Sequence, residues 1–587
     1  MTTATEANKD LFGHPRGLYI CFATEMWERF SFYGMKFLLL LYLTKYHLFT
    51  DAVGYDVLGA YAGLVYALPL IGGALADRYL GMRKAVIFGA ILLTLGHAAM
   101  AFEGSPAVRY LAGTVVNEAL TLGDGSVIAA GTTLAADVII QDVMALNVFF
   151  LALALITVGV GFLKPNISTI VGQLYGENDP RRDAGFTIFY MGINLGSFVA
   201  TLACGYIGET YGWNYGFGLA GIGMLVGLAT FLYGQKYLDG HAEPSNPAVL
   251  KEKFFGPLTK EVAIYVGAVL SVGVFWWLVQ SEPVVHFAQN ALLMVAVVAL
   301  IMHSMMIKKD KFTDWVAYGL AGLSVLCGVL WAYSANDAWL GGMIVLLLSF
   351  IGYGFKVHNS DEYSRTVTLM FLIVSSIVFW ALFEQSAGSM TLYADRVLDR
   401  NVWGFELRAT QFAALNAFFI VVLALPLAAM WVWLARRNFE PSTPVKFGLG
   451  IIQAGLGFGA LVIGAHFAND AGKVAAIWMV LAYLLHTTGE LCLSPVGLSA
   501  VTKLAVHRVV GVSMGTWFLA TSLSETVATR IGKLASIETG DVTSADTAVM
   551  LTTYTDLYEF LMWVGIGVGI FVIVLSPLLK KGMKGIH

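Results

Sequence analysis

The sequence predicts an all-α polytopic membrane protein, and three observations predict it. Of the 587 residues, 58% are hydrophobic and 13% charged, with a mean hydropathy of +0.73. An ordinary soluble domain is roughly a quarter charged, so this chain cannot cover a water-facing surface with the charges it has. The apolar residues gather into runs of about 20, the length a helix needs to cross a bilayer. The basic residues fall between those runs on alternating sides.

Residues 1–17 are polar and read as a cytoplasmic N-terminus. Apolar runs follow at about 18–46, 57–76, 85–103, 142–163, 185–206 and 214–235, and a second series at 367–391, 411–434, 447–467, 472–497, 509–531 and 554–579. Between them lie four more, near 262–280, 287–306, 315–334 and 338–355. With the N-terminus cytoplasmic and all sixteen crossing, about 24 of the 35 basic residues lie inside, about eight outside and three within spans, as the positive-inside rule requires. Sixteen spans are therefore favoured over fourteen, with both termini cytoplasmic. Residues 104–141, on the outer face, carry charges at intervals and read as an insertion rather than a lid or re-entrant segment.

The bulk numbers exclude other classes. With 35 Lys and Arg against 39 Asp and Glu, there is no basic footprint for nucleic acid. Cys21, Cys204, Cys327 and Cys492 each stand alone in or beside an apolar run, without the spacing of a disulfide framework or a zinc site. No loop holds paired acids with a metal-ligand set, or a nucleophile with its base, so neither an enzyme nor a metal site is expected.

An ionisable residue inside a span needs a partner or a water-filled cavity and marks function by default. The first span holds Glu25, Glu28, Arg29 and Lys36. At 100° per residue, Arg29 stands about 40°, Lys36 about 20° and Glu28 about 60° from Glu25, so all share one face over roughly 16 Å. Lys164, Glu384 and Glu490 stand in later spans. This set has four carboxylates against three bases. Complete pairing leaves one acid to take up a proton, and a zwitterionic ligand does not change that balance. The arithmetic suggests a proton-coupled carrier of a zwitterion. Pro69, Pro165, Pro426 and Pro495 fall within spans, where helices bend around a cavity.

Glu25-Met26-Trp27-Glu28-Arg29-Phe30-Ser31-Phe32-Tyr33-Gly34 resembles the E-x-x-E-R-F-x-[FY]-Y-G signature of the proton-dependent oligopeptide transporters, a branch of the major facilitator superfamily. Gly73 to Lys84 looks like the facilitator loop between the second and third helices. Gly161 to Asn166, Phe189 to Ser197, Phe379 to Gln385, Gly489 to Gly497 and Met514 to Phe518 resemble further family motifs, in order along about three quarters of the chain.

The resemblance implies a major facilitator fold: an N-terminal six-helix bundle over 18–235, a linker with inserted helices over 236–366, a C-terminal bundle over 367–579 and a cytoplasmic tail, 580–587. Bacterial members usually insert two helices, so four is a departure. It also implies a proton-coupled symporter of the bacterial inner membrane, monomeric in action, that imports di- and tripeptides without a cofactor.

By the same resemblance, Arg29 and Lys164 hold the peptide carboxylate and Glu490 its ammonium. Tyr33, Tyr66, Asn194 and Asn416 contact the peptide backbone, and Trp380 and Trp517 line side-chain pockets. Glu25 and Glu28 share Arg29 and Lys164 in proton coupling. Glu384 pairs across the outer mouth with Lys36, where many members have Arg. Asp77, Arg78, Arg83 and Lys84 brace the inward-closed state. His486, one turn before Glu490, reads as a hydrogen-bonded packing residue, the alternative being a titrating partner of that acid. The alternative on this scaffold is a carrier of nitrate or another small anion or metabolite, for which an acid such as Glu490 has no evident use.

Overall fold

The computed structural model describes residues 10–586 apart from 124, 177–178, 180, 239, 245, 307–314, 335, 359, 507–508 and 538–546. Among the described residues, all sixteen apolar runs are long helices. The first six are α1 (Arg16–Lys45), α2 (Asp51–Leu80), α3 (Met82–Met100), α4 (Val143–Gln173), α5 (Arg182–Tyr211) and α6 (Trp213–Gly234). The central four are α7 (Lys260–Val279), α8 (Glu282–Met306), α9 (Trp315–Ser334) and α10 (Asp337–His358). The last six are α11 (Asp361–Phe383), α12 (Ala414–Arg436), α13 (Thr443–Ala465), α14 (Ala476–Leu504), α15 (Val510–Gly532) and α16 (Thr547–Gly582). Thirteen have a strongly apolar window of spanning length. The exceptions are informative: α1 carries the charge column, α15 is rich in Ser and Thr, and α9 is a shorter apolar helix.

The helices pack as two sets. In the first half α1 lies along α5 and α6, and α3 along α4 and α6; in the second, α13 lies between α14 and α16. The halves meet where α2 packs on α15 and α5 on α12. Close approach depends on glycine. A Cβ on Gly89 would stand 2.6 Å from the Gly159 carbonyl oxygen, and one on Gly159 would stand 2.8 Å from that of Gly89, so α3 and α4 touch backbone to backbone. Gly81, at φ +74°, makes the sharp turn from α2 into α3, and a Cβ there would strike the Glu243–Pro244 backbone. Pro69 interrupts α2, whose last turn, Ala76–Leu80, is a wide π turn.

Of the inserted helices, α8 packs on α9. α7 packs on α4, while α9 and α10 pair with each other. α8 lies against α2, α11 and α15, over the seam between the halves. There Gln289 and Thr526 are hydrogen-bonded, and His286 accepts from Arg530 Nε at 3.2 Å.

The insertion at 104–141 is a β-hairpin arm. Val108 pairs with Ile140, Val115 with Thr133 and Leu120 with Ile128, one constant register down the arm. Arg109 and Asp137 clasp its base at 2.8 Å. Where the arm returns, Asp142 caps α4, accepting from Ala145 N at 3.0 Å and from Ser105 N at 3.1 Å. These backbone donors hold its carboxyl below the usual carboxylate range. Asp142→Ala is expected to cost about 1 kcal/mol, read as a lower melting temperature in detergent at neutral pH. A depressed carboxylate stabilises above its unfolded pKa, so the difference should shrink as pH falls through the acid range.

Candidate transport site

Helical spacing on α1 puts Glu25, Glu28, Arg29 and Lys36 on one face, and all four are almost fully buried. The Arg29 guanidinium engages Glu28 with both arms of its fork, through Nε and, at 2.6 Å, through Nη2. Its Nε also lies 3.3 Å from Glu25 Oε1, and its plane sits 4.8 Å from the Phe32 ring centroid. Glu25 Oε2 is buried without a hydrogen-bond partner among the described residues.

Lys164, on α4, departs from the expected shared network. Among the described residues it makes no ion pair within 4 Å; its Nζ lies 4.0 Å from the Tyr66 ring centroid. Arg29 can serve two carboxylates because its planar fork offers several donors. Lys164 is therefore left as a cation held by an aromatic face, free to meet an anion.

In the second half Glu490 Oε2 accepts from Asn416 Nδ2 at 2.9 Å, and the same amide nitrogen donates to Thr487 Oγ1 at 3.1 Å. Glu490 is buried and has no basic residue within 4 Å among the described residues. Asn194 donates to the Tyr190 carbonyl at 3.0 Å, and the Tyr190 phenol feels the Glu490 charge from the other half. Tyr33 lies between the halves, within electrostatic reach of Arg29 and Lys36 on its own helix and of Glu384 and Glu490 across from it. Trp380 stacks edge-on with Phe379 and Phe383, and its indole N–H has no partner among the described residues. Trp517 is 6% exposed and packs over Gly497. His486 is buried, with Nε2 3.0 Å from the Ala454 carbonyl oxygen, and so is tied to α13 rather than to Glu490.

Lys36 Nζ lies 2.8 Å from Glu384 Oε2 and 2.7 Å from Glu525 Oε1. Glu525 stands outside the set of intramembrane charges singled out from the sequence and adds a further acid to it. Its signal was a lone acid in the 509–531 run, masked by Ser522, Ser524, Thr526 and Thr529 around it.

A second missed pair is Asp51 with Arg396: Arg396 Nη1 and Nη2 reach the two carboxylate oxygens at 2.6 and 2.7 Å, and Nη1 meets the Tyr554 hydroxyl at 3.1 Å. Lys45 meets Asp395, and Thr410 donates to Glu209. All these contacts join the two halves on the face where α1 ends and α2 begins, so the halves are latched there.

The loop after α2 differs from the expected four-residue brace. Arg83 pairs with Glu243 and donates to Gln235, and Lys84 pairs with Glu261 on α7. Asp77 and Arg78 are exposed, with Arg78 over the Tyr79 ring. Arg83 and Lys84 thus tie the first half to the linker that follows it, because acids of that linker stand nearer than any of the second half.

Two helical halves, latched on one face around a buried charge cluster, define a secondary active transporter of the major facilitator fold. A family model described as the POT family matches residues 83–547. The chain belongs to the POT family. It is 34% identical over 588 residues to an uncharacterized transporter, YclF, of Bacillus subtilis, covering 98% of this chain and 97% of that protein. It is 31% identical over 597 residues to a di-/tripeptide transporter of Lactococcus lactis, covering 99% of each. A solved structure of a peptide transporter POT in complex with sulfate superposes with a TM-score of 0.67 at 31% identity, covering 98% of this chain and 97% of that one.

Proposed function

We propose that the protein is a proton-coupled symporter that imports di- and tripeptides by alternating access, driven by the proton gradient without a cofactor. It acts as a monomer in the bacterial inner membrane with both termini cytoplasmic, so the latched face is the outer one. One observation carries the reading: among the described residues a half-buried cation without an ion-pair partner, Lys164, stands in one half, and a buried acid without a basic partner, Glu490, in the other. A short zwitterion supplies the missing partner to each, its carboxylate to Lys164 beside Arg29 and its ammonium to Glu490 beside Asn416. Two fixed charges on separate halves select for the length of the ligand. They also leave its side chains loosely specified, with Tyr33, Tyr66, Asn194 and Trp380 between them. Relatives named peptide transporters support the substrate class.

The test is uptake by purified protein in liposomes, with and without an imposed pH gradient. A dipeptide should accumulate, and its N-acetylated form should compete at least tenfold less well. Equal competition by the acetylated peptide would remove Glu490 from the site; competition by nitrate with no dipeptide uptake would favour the anion carrier.

A further inference from the structure

Lys36 is one cation between two buried carboxylates. Glu384 follows α11 and Glu525 lies on α15, both in the second half, whereas Lys36 comes from α1 in the first. The two carboxyl groups flank the same ammonium, each with an oxygen within 2.8 Å of Lys36 Nζ. The other titratable or polar groups facing the cluster are few. Tyr33 lies on α1 beside Lys36, and α2 contributes Tyr61 and Tyr66, whose phenols feel both Lys36 and Glu525. From α8, His286 faces Arg530, and Gln289 is hydrogen-bonded to Thr526, one residue beyond Glu525. No second cation within 4 Å of Glu525 is present among the described residues.

One positive charge cannot balance two carboxylates in a site this dry, and adjacent buried carboxyl groups hold a proton between them rather than both ionise. The latched arrangement is therefore neutral as Lys36, one carboxylate and one carboxylic acid. Opening the outer face withdraws Lys36 with the first half and leaves the two acids together in the second.

We propose that Glu525 is a second proton-carrying residue of the outer gate, sharing with Glu384 the proton that must be bound before the two halves close on Lys36. No covalent step is involved; one proton enters onto the carboxyl pair from the outer solution, and symport requires that it leave to the cytoplasmic side while the outer face is shut, before Lys36 withdraws. Removing either acid leaves Lys36 with a single carboxylate, a neutral pair that closes without a proton. Glu525 thus matters to coupling in the same way as Glu384, and neither is a spare for the other.

The inference rests on the proposed symport, and the test separates the two. In liposomes, wild type should both exchange a labelled dipeptide against internal dipeptide and accumulate it when the outside is acidic; no transport at all by wild type would end the symport reading itself. Given a transporting wild type, E525Q should keep exchange within about twofold and lose at least tenfold in gradient-driven accumulation, as E384Q should. Wild-type accumulation by E525Q overturns the proposal. So does loss of exchange along with accumulation in folded E525Q, which marks a packing role. If E525Q does not fold, E525D keeps the acid at a changed distance: its accumulation should shift along the external-pH axis with exchange intact, and an unmoved pH profile overturns the proposal equally.

Discussion

Lys164→Ala is expected to abolish dipeptide uptake while leaving the protein folded. The side chain makes no ion pair within 4 Å among the described residues, and its ammonium rests on the Tyr66 ring. Removing it leaves no carboxylate stranded, since Glu25 and Glu28 are both served by Arg29. An unpaired charge in a largely buried place is itself costly, so the melting temperature in detergent should hold or rise. Ligand binding is the opposite case. Truncating one partner of a desolvated charge pair costs about 2–5 kcal/mol, or about 30- to 4,000-fold in affinity. Lys164→Arg should recover part of it, because the charge returns on a longer fork whose geometry differs. Calorimetric titration with a dipeptide, beside uptake in liposomes, separates these effects. Retained affinity together with retained uptake would remove Lys164 from the carboxylate site.

The contrast between Lys164 and Glu525 marks the limit of what the sequence exposes. A charge is conspicuous when its neighbours in the chain are apolar. Lys164 follows Val160-Gly161-Phe162-Leu163, and the α1 column repeats at helical spacing, so both were legible. Glu525 sits among hydroxyls, and its meaning comes only from Lys36, 489 residues away in the chain. Asp51 and Arg396 were hidden for another reason. Each lies beyond the edge of an apolar run, where a charge reads as a solvated loop residue, yet α2 begins at Asp51 and the helical turns after α11 carry Arg396 inward. The sixteen runs were legible because burial in lipid demands uninterrupted apolar length. That α8 covers the seam between the halves was not, because a run records hydrophobicity and not the neighbour it meets. The arm at 104–141 was legible as an insertion, but its hairpin register depends on cross-strand pairing.

Breaking the Asp51–Arg396 pair should move the protein toward its outward-open state more than any other single change at that face. Both groups are buried, the contact is bidentate, and Asp51 Oδ2 also accepts from Ile537 N at 3.0 Å. Arg396→Ala leaves the Asp51 carboxylate in place without its cation, and an uncompensated buried charge costs about 3–5 kcal/mol. The two residues come from opposite halves, so the cost falls on the closed, latched face and is relieved when water enters. A penalty of that size shifts a two-state population by about 150- to 4,000-fold. The shift can be read at Thr529, which is 4% exposed and packs on Gly59 across the seam between α15 and α2. In a background without the four native cysteines, Thr529→Cys should react slowly with an aqueous thiol reagent from outside. It should react at least tenfold faster when Arg396→Ala is added, while uptake falls. Exchanging the charges, Asp51→Arg with Arg396→Asp, restores a pair across the same seam and should slow labelling again. A general loss of packing gives a different result: faster labelling that the exchange does not reverse, with a lower melting temperature in both variants. Unchanged labelling and unchanged uptake in Arg396→Ala would mean that the pair does not hold the outer face shut.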